Sequence, residues 1–435
     1  ASTTGSNNVA VGSEALEANT TASYNTAVGK GALTANTTGE RNTSVGFNSL
    51  EANTTGQYNT ALGSGSLNDN TTASNNTAIG YSALAVNTTA DNNTAVGHGS
   101  LESNTTGASN TAIGKAAGYG ITTGNYNTAV GRSTLTATCT GGHNTGVGYT
   151  ALNGNTSGNY NVAVGSGSLE VNTTGSQNTA VGNTSLDANT TGSNNTALGH
   201  NALGANTTAD DNTAVGRSAL AGNTTGTRNT AIGRKALEQN NSSDNTAVGH
   251  YAAQATTSGQ YNVAVGKAAL ESNTTGTYNV AIGQAALEDN TTQDENTAVG
   301  YQALKDATST ANTAVGYIAL RDNTSGGYNT AIGREAGRDC TTGNYNSFLG
   351  RSAGEQLTTG SQNVFVGQES GRAGHPGGTI TTHDHKICMG DANIEDAYIK
   401  VSWNVTSDAR DKTDITDFTP GLSWINKLRP VTYRW

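Results

Sequence analysis

The sequence predicts a mainly β protein, a β-solenoid or β-roll of 22 short coils, each one strand plus a helical turn or loop. Three observations carry this. A five-residue piece, mostly Asn-Thr-Ala-Val-Gly as at Asn25 to Gly29, recurs from Asn8 to Asn363. Its leading Asn returns every 17 residues, except for two steps of 16 ending at Asn245 and Asn312. A fixed short period held over most of a chain is the mark of stacked coils. The composition is also wrong for a wide globular core: of 435 residues, 5% are aromatic and 12% charged, with 57 Gly and 3 Pro. A coil with one thin file of core side chains suits it better. The aliphatic residue at one fixed slot of every repeat argues against disorder.

Counting the leading Asn as position 0, positions 1 to 3 alternate like a short strand. Position 1 is Thr or Val, with Ser347 as the exception, and position 3 is Val, Ile or Leu. That pair is expected to point into the coil, with the small Ala of position 2 outside. Gly at position 4 turns the corner, where positive φ costs it little. Positions 5 to 10, such as Ser13 to Ala18, suit one helical turn, with Ala at 7 and Leu at 8 covering the strand. Asn-Thr-Thr-Gly at 11 to 14 is turn chemistry. Equivalent Asn side chains, stacked one above another, can bond along the array, which accounts for the many Asn-x-Thr triplets without glycosylation.

Position 8 offers an internal control. Gly replaces Leu at 118, 337 and 354, and in those coils position 11 becomes Ile121, Cys340 and Leu357. A packed interior demands such compensation, so positions 8 and 11 belong near one another. Gly371 also stands at position 8, but Gly374 follows it, and there no compensation is expected. Phe348 and Phe365 replace Ala at position 2 of the last two coils and read as a transition out of the array. Position 16 carries Tyr24, Tyr58, Tyr126, Tyr160, Tyr261, Tyr278, Tyr328 and Tyr345, and position 5 adds further aromatics. Stacking lines these up along the array, where they suit packing against neighbouring chains or coil-to-coil contact, or else candidate binding ladders, since Tyr offers an apolar face and a hydroxyl.

Net charge is −10, thinly spread, which excludes a nucleic-acid footprint. No apolar run is long enough to span a membrane, so no membrane insertion is expected. Cys139, Cys340 and Cys388 are no disulfide framework. A thin solenoid with little core is a candidate for oligomerisation, expected to bury the small Ala face.

The organisation expected is a repeat shaft at 1–371, a Gly-rich linker and β neck at 372–406, and a distinct segment at 407–435. The neck holds His383-Asp384-His385. The plainer reading is two exposed turn histidines beside the linker; on a strand both imidazoles would instead point to one side. Six could then meet on the axis of a trimer and hold one transition-metal ion. Otherwise no cofactor is expected.

Two resemblances add to this reading. The strand motif resembles the head repeats of trimeric autotransporter adhesins, although this coil is longer by about three residues around Ala-Leu, a departure that leaves handedness open. The run Ser407-Asp408-Ala409-Arg410, then Lys412 and Ile415, then Leu428-Arg429-Pro430-Val431-Thr432-Tyr433 and Trp435, resembles the start of the endosialidase-type intramolecular chaperone of phage tail fibres and spikes. Asp411 departs from it, standing where many members have Leu. That resemblance implies trimerisation and autocleavage between Ser407 and Asp408, with Lys412 as partner of the Ser. A Lys with a depressed pKa can activate a Ser hydroxyl. Only the start of that domain is matched, so this chain is not expected to cleave itself.

Together these readings point to a homotrimeric phage tail fibre, extracellular on the virion. It would bind a host-surface glycan or protein receptor and join other tail proteins, without being an enzyme. A bacterial trimeric surface adhesin is the alternative. A glycan depolymerase is weaker, because no carboxylate pair stands out. An ice-binding solenoid is weakest, because the Thr positions read as core edge and turn.

Overall fold

The computed structural model describes residues 4–373 and 378–395. Every repeat contributes one three-residue strand, from β1 (Val9–Val11) and β2 (Thr26–Val28) to β21 (Ser347–Leu349) and β22 (Val364–Val366). Each strand pairs in parallel with the next, position 1 on position 1. The result is one continuous parallel sheet along one side of a solenoid. The remainder of each coil is turn and extended backbone. No helix occurs among the described residues, so the expected helical turn at positions 5 to 10 is absent. Its residues alternate hands instead: positions 6 and 8 are left-handed in coil after coil, as at Glu14 (φ 65°) and Leu16 (φ 52°). This alternation leaves backbone groups aimed along the stack. Leu33 N–H donates to Ser49 of the next coil at 3.1 Å, and Gly31 N–H to Ser13 of the previous one at 3.0 Å. A helical turn would close those bonds within the coil and stop the stack from propagating.

The strand faces the opposite way from the sequence expectation. From β2 onward position 2 is fully buried, while positions 1 and 3 lie on the outer face; Ala10 of the terminal strand β1 is exposed. The reason is the width of the coil. Position 2 meets Leu of position 8 across a gap that admits one Leu per coil, and only a methyl fits opposite it. The β-branched residues at 1 and 3 are too large for that interior. Leu33, Leu50, Leu67 and their equivalents form the central file, with Ala at position 7 beside them. Where a larger residue enters, a neighbour shrinks: Gly146 stands at position 2 where a Cβ would strike the methyl of Thr134.

The Gly coils obey the same volume rule. A Cβ on Gly337 or Gly354 would collide with the ring of Phe348, and one on Gly371 with Phe365. The two rings stack inside the solenoid with centroids 5.4 Å apart. They are core, so bulk has not moved to an outer face as expected. Compensation at position 11 is present in the last coil too, against expectation. Ile380 is buried, and its N–H donates to Gly371 O at 3.0 Å. That is the bond Asn19 makes to Leu16 in a regular coil. An insertion before Ile380 had hidden the match. Burial pushes the thiol of Cys340, also at position 11, up to about 12.

Asparagine secures the corners. Asn212 Oδ1 accepts the N–H of Asn229 at 3.0 Å, and its Nδ2 donates to Gly226 O at 2.9 Å. At position 11 the amides chain directly: Asn223 Nδ2 donates to Asn206 Oδ1 at 3.2 Å and to Gly226 O at 2.8 Å. Where the next coil carries Ile121 or Ala307, the ladder stops, and Asn104 Oδ1 and Asn290 Oδ1 are left without a partner. The two 16-residue coils each drop one turn residue and put a Ser at the corner. Ser242 and Ser309 hydroxyls then donate to the corner carbonyls of Gly259 and Gly326.

A further strand, β23 (Ile387–Met389), pairs in parallel with β22 inside the segment expected as a neck. Lys386 takes the Asn slot, and its N–H donates to Asn363 Oδ1 at 2.8 Å. Cys388 takes the buried Ala slot. The chain divides into a compact unit at Ala1–Ala392, which holds the stack, and a second at Asn393–Trp435. Ser407 and Lys412 lie outside the described residues.

Candidate binding surface

The outer face of the sheet is a regular surface that runs along the stack. One file of Thr or Val and one of Val, Ile or Leu run side by side along it. Leu62, Ile113, Leu198, Ile332 and Leu349 are each more than 40% exposed. At about 4.8 Å per strand the ribbon is on the order of 100 Å long and 7 Å wide. About half of its area, on the order of 350 Å², is the Val/Ile/Leu file, within the range of the largest apolar patch of a typical monomer, about 300–600 Å². The Ala face expected to mediate association is interior and unavailable. The Thr file expected at the core edge lies outside.

Two files of variable residues border this face, position 16 before each strand and position 5 after it. Position 16 is left-handed throughout, as at Tyr126 (φ 58°) and Tyr261 (φ 57°). This repeats the side-chain placement coil after coil and stacks the rings. Tyr261 and Tyr278 lie 5.1 Å apart at 7°, and Tyr328 and Tyr345 5.0 Å apart at 7°. Between Tyr126 and Tyr160 the gap is filled by His143, 4.9 Å from each. Between Tyr24 and Tyr58 it is filled by the Arg41 guanidinium, 5.7 and 5.4 Å from the rings. All eight predicted Tyr are exposed. They therefore form four paired clusters, two closed by a cation or an imidazole that the sequence reading did not include. Position 5 repeats the pattern with Tyr81 on His98, Tyr301 on Tyr317, and Arg132 over Tyr149.

His383 and His385 are exposed in the turn before β23 rather than on a strand, and His385 is left-handed (φ 58°). They occupy positions 14 and 16 of the last coil: His383 O accepts Asn363 Nδ2 at 2.8 Å, and His385 N–H donates to Ser361 O at 3.1 Å. Among the described residues no three His, Cys, Asp or Glu side chains gather as a metal site. All three Cys are free and buried. Charge concentrates at the last coils, where buried Glu355 receives Arg338 at 2.6 Å and Arg372 at 3.2 Å. No described helix is long and apolar enough to cross a membrane.

The fold defines a repeat protein, a parallel β-solenoid with a 17-residue coil. Its C-terminal residues 407–435 match a family described as chaperone of endosialidase. A comparison of the chain with curated proteins finds no match. Solenoid and C-terminal match together fit a tail fibre carrying a chaperone-type segment.

Proposed function

We propose that this chain is the shaft of a homotrimeric phage tail fibre, carried on the virion, that contributes to adhesion to the host surface. The observation that carries this reading is the chaperone-of-endosialidase match placed directly after a long solenoid. The exposed Val/Ile/Leu file supports the association: buried between copies, it supplies an apolar strip at the centre of an interface. The Tyr clusters offer flat, stacked rings to a sugar or protein receptor. Autocleavage between Ser407 and Asp408, with Lys412 assisting, belongs to the same reading. So does an axial metal ion at His383 and His385, which elemental analysis of purified trimer checks.

Light scattering tests the association. The chain runs at three times its 44.0 kDa mass. Val181→Lys with Val215→Lys on the outer face shifts it to one. A chain that is monomeric without these changes sinks the trimer. Ser407→Ala, in a chain extended through a complete chaperone domain, abolishes a two-fragment product; persistence of the fragments refutes the cleavage assignment.

A bacterial trimeric adhesin remains the second reading, through the strand motif, and neighbouring tail genes would decide against it. Incubation with host polysaccharide tests depolymerase activity, with no shortening expected.

A further inference from the structure

The two files that border the outer face differ in chemistry, and five of the eight Tyr levels carry a cation across the strand; Tyr58, Tyr160 and Tyr278 stand level with Ser64, Ser166 and Gln284. From β1 to β22, the file after the strand holds Lys and Arg but no Asp or Glu. The file before the strand holds the eight Tyr, and its acids are Asp211, Asp244 and Glu295. At five levels a Tyr on one side accompanies a cation on the other. They are Tyr24 with Lys30, Tyr126 with Arg132, Tyr261 with Lys267, Tyr328 with Arg334 and Tyr345 with Arg351. At a sixth level Asp211 accompanies Arg217, and at a seventh the order reverses, with Arg41 before the strand and Phe47 after it. Arg234 stands level with Arg228, a like-charge pair, but Asp244 neutralises Arg228 within the chain at 2.7 Å.

These partners cannot meet within one chain. Six residues of near-extended backbone separate them, roughly 15–20 Å. Lys30, Lys267 and Arg217 are exposed and make no salt bridge among the described residues, whereas Arg132 and Arg334 also lie over Tyr149 and Tyr317 of their own chain and Arg351 pairs with Glu369. The chain does use the contact in question elsewhere, as Arg41 lies between two Tyr rings.

Symmetry brings such partners together. If copies are related by rotation about an axis along the stack, with outer faces turned inward, the file before the strand on one copy meets the file after it on the next. Rotation adds no translation, so residues of the same coil meet at the same height. A two-fold axis across the stack would instead set like file against like file, at unrelated coils. We infer that the copies stand parallel and in register, with Lys and Arg of one copy packed on Tyr of its neighbour at the same coil. This rests on the homotrimer reading and gives it an orientation, a register and a rim of cation–π contacts around an apolar strip.

Disulfide trapping in the full chain tests it. In the double variant Tyr126→Cys/Arg132→Cys, mild oxidation links neighbouring copies into a covalent trimer on a non-reducing gel. An intramolecular bond is out of reach, since a disulfide needs Cα atoms within about 7 Å. The native thiols are buried. The offset variant Tyr126→Cys/Lys267→Cys stays unlinked, because its sites lie on the order of 40 Å apart along the stack. Tyr126→Cys alone also stays unlinked. Tyr261→Cys/Lys267→Cys repeats the measurement at a second level should the first variant fold poorly. A trimer by light scattering that links only in the offset or single variant, or not at all, overturns the register but leaves the trimer. A monomer overturns both.

Discussion

At the scale of single residues, the interior is a volume constraint with little slack. Most coils hold one large core side chain, packed against small residues, chiefly Ala and Asn. Leu220→Ala therefore opens a cavity between coils held apart by backbone bonds, and costs about 2–5 kcal/mol, read as a loss in chemical denaturation. Gly354→Ala is destabilising for the opposite reason, because its Cβ strikes Phe348. Adding Phe348→Leu recovers part of that loss, so the pair is non-additive by about 0.5–3 kcal/mol in a double-mutant cycle. Additive losses would mean that the two do not share the space.

The buried thiols make a pH-dependent statement at the same scale. Burial raises Cys340 from the ordinary 9.0 to about 12. A raised acid favours its neutral form in the fold. Its contribution is therefore complete below pH 9.0 and is lost as pH rises toward about 12. Melting temperature falls across that window, and Cys340→Ala flattens part of the fall. At pH 8 the native chain resists alkylation by iodoacetamide and becomes reactive on unfolding; rapid native labelling would place the thiols outside the core.

At the scale of the element, the coil is a ring of bonds to its neighbours rather than a self-sufficient unit. Asn212 satisfies two groups at once, the Asn229 N–H and the Gly226 carbonyl. Asn212→Ala leaves the Asn229 N–H buried and unmet, at about 1–3 kcal/mol, while the Gly226 carbonyl keeps the Asn223 amide at 2.8 Å. Hydrogen exchange checks this: amides of the flanking coils lose protection while distant coils keep theirs. Gly216 at the corner has φ 132°, and a Cβ there would meet Gly233 O at 2.6 Å. Gly216→Ala thus disrupts the corner as well as straining it.

At the scale of the whole stack, the repeat makes coils interchangeable. Deleting residues 178–194 removes one complete coil and joins the coil of Asn161 to that of Asn195 with every ladder intact. The shortened chain still unfolds cooperatively, with a melting temperature within a few degrees of the parent. Deleting eight residues from the same region breaks the register of strand and corner together and gives a chain that does not stack. Equal behaviour of the two deletions would refute stacking as the source of stability.

The sequence by itself determined the number of coils from Asn8 to Asn363, the strand in each, the corner Gly and the Asn ladders. These are legible because a period of 17 repeats local chemistry in the open. It also marked positions 8 and 11 as interior neighbours, through Gly118 with Ile121. It did not determine which face of the strand is inside. Alternation says only that positions 1 and 3 oppose position 2, and the aliphatic side is the natural choice for a core. Tertiary structure decided otherwise, because two backbone walls stand too close for Val and Leu to face each other. The signal was present in Phe348 and Phe365, which replace Ala where position 8 is Gly. The last coil was hidden by its insertion, although Ile387-Cys388-Met389-Gly390 keeps the pattern of a large residue, a small one, a large one and Gly. Reversing the face moved the aliphatic residues outward, and with them the surface on which the chain can meet a second copy of itself.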